Sequence, residues 1–361
     1  MAKKKLVHYI LGFIVLLLGF CACEREDGEP NLEMRKFTRL YVSFEEYTPG
    51  KNPPDTSVRI IYPADSSVFA FNGRHKSEVK GGGAIHYEDR LGVVFQASAN
   101  RSGVNDTALA ILEMGSSGSL KNSGLPKSRY YNAVRGMVYH AATNVLLMVN
   151  GAGPDAGVYI MDRPRYANRE RQPIKKLRNR NLQMWGAAYE NDRLFTAKTS
   201  APAGIYVFED ITSTAVDPKD SVGTLEADRI LNIEGASNLR GLCYDTVKNV
   251  MAIAQTGDGT LGAGRILIFD HFSDMIDADQ ITPTRVITGV NTGLVSPVDV
   301  VLDTRKSGVY LYVADRGAKK ISRFRYTDDG NVAPDKVIDT GALKDGSTPV
   351  GLTLDTRERD W

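Results

Sequence analysis

The segment GLCYD at residues 241–245 recurs in outline along the chain, in the pattern small, apolar, any residue, aromatic or apolar, polar. The copies are AIHYE at 84–88, GMVYH at 136–140, GAAYE at 186–190, GLCYD at 241–245, DVVLD at 299–303 and GLTLD at 351–355. Their first residues lie 52, 50, 55, 58 and 52 positions apart. A repeat of about 50 residues is a period typical of β-propellers.

Each of the first five copies is followed by two further segments with the character of β-strands. After residues 136–140, for example, come the apolar runs 146–149 and 158–161. The runs are short, they are separated by Gly-rich or polar turns, and no long stretch has the 3.6-residue period of a helix. This arrangement predicts an all-β fold with about four strands per repeat, which is a propeller blade.

The sixth copy stands one strand from the end of the chain, and the N-terminal region supplies what it lacks. Residues 39–43 resemble the second strand of a repeat and residues 58–62 the third. Residues 352–361 and 35–83 together amount to 59, the length of one repeat. We therefore predict a single six-bladed β-propeller over residues 35–361, with four-stranded blades and a ring closed between the N-terminal strands and the C-terminal strand. Closure removes two free sheet edges.

Several repeats resemble the NHL-type six-bladed propeller family. The segment LYVADRGAKKISRF at residues 311–324 is close to a repeat of that family, and NVAP at 331–334 and PVDVVLD at 297–303 resemble bacterial surface propellers. The likeness is good over residues 236–355 and is confined to the strand skeleton in blades two to four. It implies a fold and transfers no activity.

The N-terminus has the features of a lipoprotein signal peptide over residues 1–22. Three lysines precede an uncharged apolar run at residues 10–20, which is short for a membrane span, and Ala22 stands before Cys23. The segment resembles a lipobox, which implies lipidation of Cys23 and attachment to a membrane, with an uncut anchor helix as the alternative. Residues 23–34 then form an acylated tether whose acidic run resembles the export signal of Bacteroidetes-type surface lipoproteins. The expected location is the outer membrane at the cell surface, or facing the periplasm.

Charge and cysteine content exclude other classes of protein. Without residues 1–22 the chain has 42 Lys and Arg against 43 Asp and Glu, so no bulk positive charge favours nucleic acid. Once Cys23 is acylated, Cys243 is the one unmodified cysteine in the mature chain, so no intramolecular disulfide is expected. Stability must then come from an apolar core.

A candidate ligand site follows from the repeat register, because the residue before each innermost strand should lie at one mouth of the central channel. Arg135, Trp185 and Arg240 hold this place on three successive blades. Two guanidinium groups and an indole can bind a carboxylate, a phosphate or a sugar. Alternatively these residues plug the channel and pair with Glu88, Glu190 or Asp245.

Motifs for catalysis are weak. His86 and His140 lie on adjacent innermost strands, two register steps apart, and the other mature histidines, His75 and His271, complete no ligand spacing. There is no nucleophile elbow or phosphate-binding loop, and GDGTLGAG at residues 257–264 is expected to be a loop. We expect no metal, no cofactor and no catalytic residue.

A basic run, residues 163–180, is expected to form the outer strand and exit loop of blade three. Its eight cations would either bind anionic partners or form a solvated edge protected from pairing. The whole sequence favours a lipid-anchored, non-catalytic binding or scaffold module for a glycan, a peptide or a partner protein in an outer-membrane assembly. The alternative is a lactonase- or lyase-like enzyme with its site in the channel.

Overall fold

Six β-sheets form the blades of a propeller in the computed structural model, which describes residues 38–52, 55–100, 104–115, 118–151 and 153–356. The predicted signal peptide, Cys23 and the tether lie outside the described residues. Among those described, helical structure is limited to three short 3₁₀ turns at Pro164–Tyr166, Phe272–Met275 and Val290–Thr292. No helix in this part of the chain is long and apolar enough to cross a membrane.

The strands of each blade are ordered from the innermost, at the central channel, to the outermost. Blade 1 contains β26 (Pro349–Asp355), β1 (Arg39–Phe44), β2 (Val58–Ile61) and β3 (Phe71–His75). Blade 2 contains β4 (Gly82–Glu88), β5 (Val93–Ser98), β6 (Leu109–Met114) and β7 (Leu120–Gly124). Blade 3 contains β8 (Val134–His140), β9 (Val145–Asn150), β10 (Gly157–Asp162), β11 (Lys175–Arg178) and β15 (Val222–Thr224).

The remaining blades have the same order of strands from the channel outward. Blade 4 contains β12 (Met184–Glu190), β13 (Arg193–Lys198), β14 (Gly204–Phe208), β16 (Arg229–Ile233) and β20 (Gln280–Ile281). Blade 5 contains β17 (Leu239–Asp245), β18 (Val250–Gln255), β19 (Arg265–Asp270) and β21 (Arg285–Thr288). Blade 6 contains β22 (Pro297–Leu302), β23 (Tyr310–Asp315), β24 (Lys320–Arg325) and β25 (Lys336–Asp339). The six-bladed all-β fold predicted from the sequence is confirmed.

The apolar core lies between adjacent blades. The second strands β1, β5, β9 and β18 are buried at every position, because each is covered on both faces by neighbouring blades. Their sequences are therefore nearly continuous apolar runs without alternation. Between blades 1 and 2, for example, Tyr41 and Ile60 pack with Val94 and Leu112. Burial of this kind stabilises the ring without disulfides.

The ring closes where the sequence predicts. Strand β26 pairs antiparallel with β1, with Leu354 opposite Leu40 and Leu352 opposite Val42. Strand β2 then pairs with β1 and with β3, so that blade 1 combines both ends of the described chain. Leu352 packs against Val298 of blade 6 in the same apolar cluster.

Two blades carry a fifth strand that was not expected. Strand β15 lies in the connection between β14 and β16 of blade 4, and it pairs in parallel with β11 at the outer edge of blade 3. Strand β20 lies between β19 and β21 of blade 5, and it covers β16 of blade 4 in the same way. These excursions fall in the two longest repeats, of 55 and 58 residues.

The basic run does supply the outer strand of blade 3, but the expectation of a solvated edge is wrong. Lys176 of β11 stands opposite Val222 of β15, and its side chain is buried. Arg171 forms an ion pair with Asp162 at 2.6 Å, and Lys175 donates to two carbonyl oxygens. The edge is protected mainly by a strand from the next blade.

Candidate anion-binding site at the channel mouth

A β-bulge marks the start of the innermost strand in all six blades. The register shifts between Val134 and Gly136, between Trp185 and Ala188, and between Leu239 and Leu242, and the other three blades shift at the same place. A bulge adds a residue to one strand and changes the direction of its side chain. The bulges place Arg135 and Arg240 in the lining of the channel, and Trp185 lies at the edge of the bulge in blade 4.

Glycines beside these bulges allow the innermost strands to approach closely. A Cβ atom on Gly136 would lie 2.3 Å from the carbonyl carbon of Gly186. One on Gly241 would lie 2.0 Å from Oδ1 of Asp299. The small residue that opens most repeats is therefore required by backbone packing around the channel.

Arg135, Trp185 and Arg240 lie together, as the repeat register suggests. The guanidinium carbon of Arg135 is 4.7 Å from the ring centroid of Trp185, and that of Arg240 is 4.6 Å from it. Both distances are within the range of a cation–π interaction, which is favoured when a guanidinium group stacks on an indole. The indole therefore contacts both guanidinium groups.

The expected pairing of these arginines with Glu88, Glu190 or Asp245 is wrong for the described residues. Oε2 of Glu88 lies 3.7 Å from Nε2 of His86 on its own strand, and Oδ2 of Asp245 accepts a hydrogen bond from Nζ of Lys248 at 2.7 Å. Arg240 donates to a backbone oxygen, that of Leu239, at 3.0 Å. Within the described part of the chain neither Arg135 nor Arg240 has a carboxylate partner.

Further charged residues line the mouth, among them Arg316 and Glu45. Arg316, in the turn after β23, forms a two-pronged pair with Glu45, which follows β1, at 3.0 and 3.2 Å. Arg316 stands in the repeat segment that resembles the family, in a turn that the register places at this mouth. Glu45 is harder to assign to the mouth from the sequence, because it belongs to the blade that is divided between the two ends of the chain.

Partial burial of Arg135 and Arg240 makes the positive charge of the mouth costly. It lowers the pKa of Arg135 below its ordinary value, and the neighbouring guanidinium groups of Arg240 and Arg316 lower it further, while Glu45 opposes them. Burial also lowers the pKa of Arg240. Both groups stay protonated at neutral pH because an arginine starts from a pKa above 12. An anion that entered the mouth would relieve this unfavourable charge.

The mouth opens into a cavity of about 1150 Å³ that follows the central channel. Around the mouth it is lined by neutral polar groups from several blades, including Asn100, Thr256 and Ser296. Deeper in, apolar residues such as Val138 and Val301 line it. A volume of this size accommodates a small organic ligand.

Asp299 is the one acidic residue of the channel wall beneath the mouth among those described. Its Oδ1 accepts from its neighbour Val300 at 3.0 Å and its Oδ2 accepts from Leu352 of blade 1 at 2.7 Å. Burial raises the pKa of Asp299 to about 7, against the effect of both backbone hydrogen bonds. The carboxyl group therefore joins two blades and titrates near neutral pH.

The remaining candidates for chemistry are dispersed. His75 contacts Asn122 at 2.9 Å and His140 contacts Thr143 at 2.8 Å, while His271 precedes a 3₁₀ turn. Burial raises the pKa of the Cys243 thiol to about 12, which keeps it protonated. Among the residues described there is no group of three His, Cys, Asp or Glu placed to hold a metal ion.

Comparison with known proteins identifies the fold and no family. No protein-family model matches the chain, and no curated protein matches it. A structure of a nidogen–laminin complex is similar over 89% of this chain and 99% of the other, with 12% identity and a TM-score of 0.53. A protein of Bacteroides uniformis ATCC 8492, provisionally named a 6-phosphogluconolactonase, is similar over 84% of this chain and 83% of the other, with 14% identity and a TM-score of 0.51. At such identities the likeness extends to the propeller fold alone.

Proposed function

We propose that this propeller is a binding module whose channel mouth takes a small anionic ligand, such as an acidic sugar or a sugar phosphate. The observation that carries the proposal is an excess of positive charge at the mouth, where Arg135 and Arg240 are partly buried. Arg135, Arg240 and Arg316 meet at the mouth with a single carboxylate, Glu45, and two of them stack on Trp185. The guanidinium fork matches carboxylate and phosphate oxygens in a two-pronged geometry.

Trp185 has a positioning role in this proposal. Its ring contacts both guanidinium groups, and no carboxylate among the described residues pairs with either, which leaves N–H donors on both for a ligand. The carboxylate of Glu45 can accept a hydrogen bond from a sugar hydroxyl while it remains paired with Arg316. A neutral sugar would leave the partly buried charge of the mouth uncompensated, so the site should discriminate in favour of anions.

The cellular setting is also a proposal. A lipid on Cys23 would attach the propeller to the outer membrane of a bacterium through the tether of residues 23–34. Such a protein would present the mouth to glycans, peptides or partner proteins at the cell surface. The resemblance of the segments at residues 331–334 and 297–303 to bacterial surface propellers supports this placement.

Calorimetric titration of the soluble body, residues 24–361, tests the binding proposal. D-Glucuronate and 6-phosphogluconate should bind, whereas D-glucose should not. Arg240→Gln should weaken binding by roughly 10- to 100-fold, because it removes one charge-assisted interaction of about 1.5–3 kcal/mol. Arg325→Gln, an exposed change at the opposite end of blade 6, is the control and should leave the affinity unchanged. Equal affinities for glucose and glucuronate would contradict the proposal.

A second candidate is hydrolysis of an anionic lactone in the channel, in line with the name of the Bacteroides uniformis neighbour. It is favoured by Asp299, which is among the residues that line the cavity and whose carboxyl pKa is raised by burial to about 7. As a general base Asp299 would take a proton from water while the oxygen adds to the lactone carbonyl. The ring C–O bond then breaks and the proton passes to the leaving alkoxide.

Proton release from 6-phosphogluconolactone, followed by pH-stat, tests the enzymatic candidate. Turnover that exceeds the spontaneous rate and disappears in Asp299→Asn would support it. Binding of the anion with no acceleration of hydrolysis would leave the binding module as the function and exclude the lactonase.

A further inference from the structure

A second group of cations surrounds Tyr130 at the outer part of blade 3. We call Arg129, Tyr130, Lys176 and Arg178 the Tyr130 cluster. The Lys176 ammonium lies 4.3 Å from the centroid of the Tyr130 ring, and the guanidinium carbons of Arg129 and Arg178 lie 5.2 and 5.6 Å from it. None of the four residues lines the channel cavity, so this is a different surface from the mouth.

Lys176 is the unusual member of the cluster. Its side chain is only 6% exposed, because β11 is covered by β15 and Tyr130 lies over the ammonium group. Within the described residues no carboxylate or carbonyl oxygen accepts from it. The Nζ atom is nevertheless not among the buried nitrogen and oxygen atoms that lack a hydrogen-bond partner, so the ammonium group itself stays accessible to an ion from solvent, while the face of one phenol ring offsets its charge only in part.

Arg178 is also incompletely paired. Its Nε is buried and has no hydrogen-bond partner in the part of the chain that the structure describes, while its Nη2 lies 3.7 Å from Asp155. That distance exceeds a hydrogen bond, and the Asp155 side chain is partly exposed to water. The guanidinium group therefore keeps unused donors beside Lys176.

Arg129 and Tyr130 add a polar edge at the surface. Arg129 is exposed, and its Nη2 donates to Oη of Tyr130 at 3.1 Å. This hydrogen bond lowers the pKa of Tyr130, and the charges of Lys176 and Arg178 lower it further. Glu170 also acts on Arg129 at longer range. The phenol thus becomes a stronger hydrogen-bond donor among three cations.

We propose that the Tyr130 cluster is a second anion-binding site, for the sulfate or phosphate group of an esterified ligand. An ammonium, two guanidinium groups and a phenol O–H are the donors that a tetrahedral dianion requires. Bound there, the anion would supply the partner that Lys176 lacks within the described chain. The site stands on its own observations and does not depend on ligand binding at the channel mouth.

Equilibrium dialysis with radiolabelled inorganic sulfate, at low ionic strength and high protein concentration, tests this proposal. If both sites exist, the parent protein binds two sulfate ions. Lys176→Met keeps the apolar stem and removes the charge, so it should lose one ion and leave the melting temperature unchanged or higher. Lys121→Met, the same change at an exposed position on the outer strand of blade 2, should retain both. Parallel dialysis with labelled phosphate then distinguishes the two ester types.

The outcomes separate the two sites. If the channel mouth binds no anion, the parent protein binds one sulfate ion and Lys176→Met binds none. Arg129→Gln is a change at an exposed position. If it weakens binding of the sulfate ion that depends on Lys176 by about threefold or more, the site includes the surface edge. Unchanged sulfate binding in both Lys176→Met and Arg129→Gln overturns the proposal, as does a parent protein that binds no sulfate.

Discussion

Closure of the ring predicts an energetic coupling between residues at opposite ends of the chain. Val42 of β1 and Leu352 of β26 are register partners, both belong to the cluster shared by blades 1 and 6, and they are 0% and 3% exposed. Leu352→Ala should cost about 3 kcal/mol in the free energy of unfolding, as for other buried leucines. Val42→Ala should cost about 2 kcal/mol, from the methyl groups removed and the cavity that remains.

The two substitutions should be less harmful together than separately. Because both enlarge the same apolar space, the double variant should unfold with a free energy about 1 kcal/mol higher than additivity predicts. Leu147→Ala in blade 3 is the control, since Leu147 is equally buried but belongs to another cluster. Combined with Leu352→Ala, it should be additive within about 0.5 kcal/mol.

Urea unfolding of residues 24–361 at 25 °C measures the free energy of unfolding of the parent and of each variant, provided that the parent transition is two-state and reversible. The double variant should keep enough stability to fold if the parent lies at the middle or upper end of the usual range of about 5–15 kcal/mol. Additive losses at Val42 and Leu352 would show that β26 does not pack beside β1, and the closed ring would then be wrong.

Other predictions concern the channel and the anchor. The free energy of unfolding should fall by about 2–3 kcal/mol from pH 5 to pH 8, because folded Asp299 keeps its proton up to a pKa of about 7 whereas the unfolded carboxyl ionises near 3.8. Urea titrations of Asp299→Asn at both pH values should lack this decrease. Gly151→Ala should weaken anion binding and lower the melting temperature, because the added Cβ would lie 2.6 Å from Cγ of Arg135 and 2.6 Å from the carbonyl oxygen of Met184. Unchanged anion affinity in calorimetry would contradict this prediction. Cys23→Ala should release the protein from membranes or leave an unprocessed precursor, as judged by fractionation, and a processed, membrane-bound variant would refute lipidation at Cys23.

The propeller could be predicted from the sequence because its repeats carry a strong periodic signal. The six copies of the innermost strand, and the apolar second strands after them, set both the number of blades and the point of closure. The added strands β15 and β20 could not be predicted in this way. They contain only three and two residues and pair through their backbones, so their sequences have no periodicity to detect.

The site was predicted in part for a similar reason. The register places Arg135, Trp185 and Arg240 at one mouth, but it does not reveal the β-bulges that turn these residues into the channel. The burial of Lys176 was missed because its cover comes from a strand of another blade, whereas a run of charges in a sequence is typical of a solvated face. Such effects depend on which distant segments meet, and local sequence patterns do not contain that information.

Anion binding beside Trp185 is tested most directly by the fluorescence of that residue. The chain has two tryptophans, so Trp361→Phe leaves Trp185 as the only one, in contact with both guanidinium groups. Titration with D-glucuronate or 6-phosphogluconate should change its emission saturably, glucose should not, and Arg240→Gln should shift the midpoint at least tenfold higher. An emission that responds to none of these anions, or equally to glucose, would contradict the account.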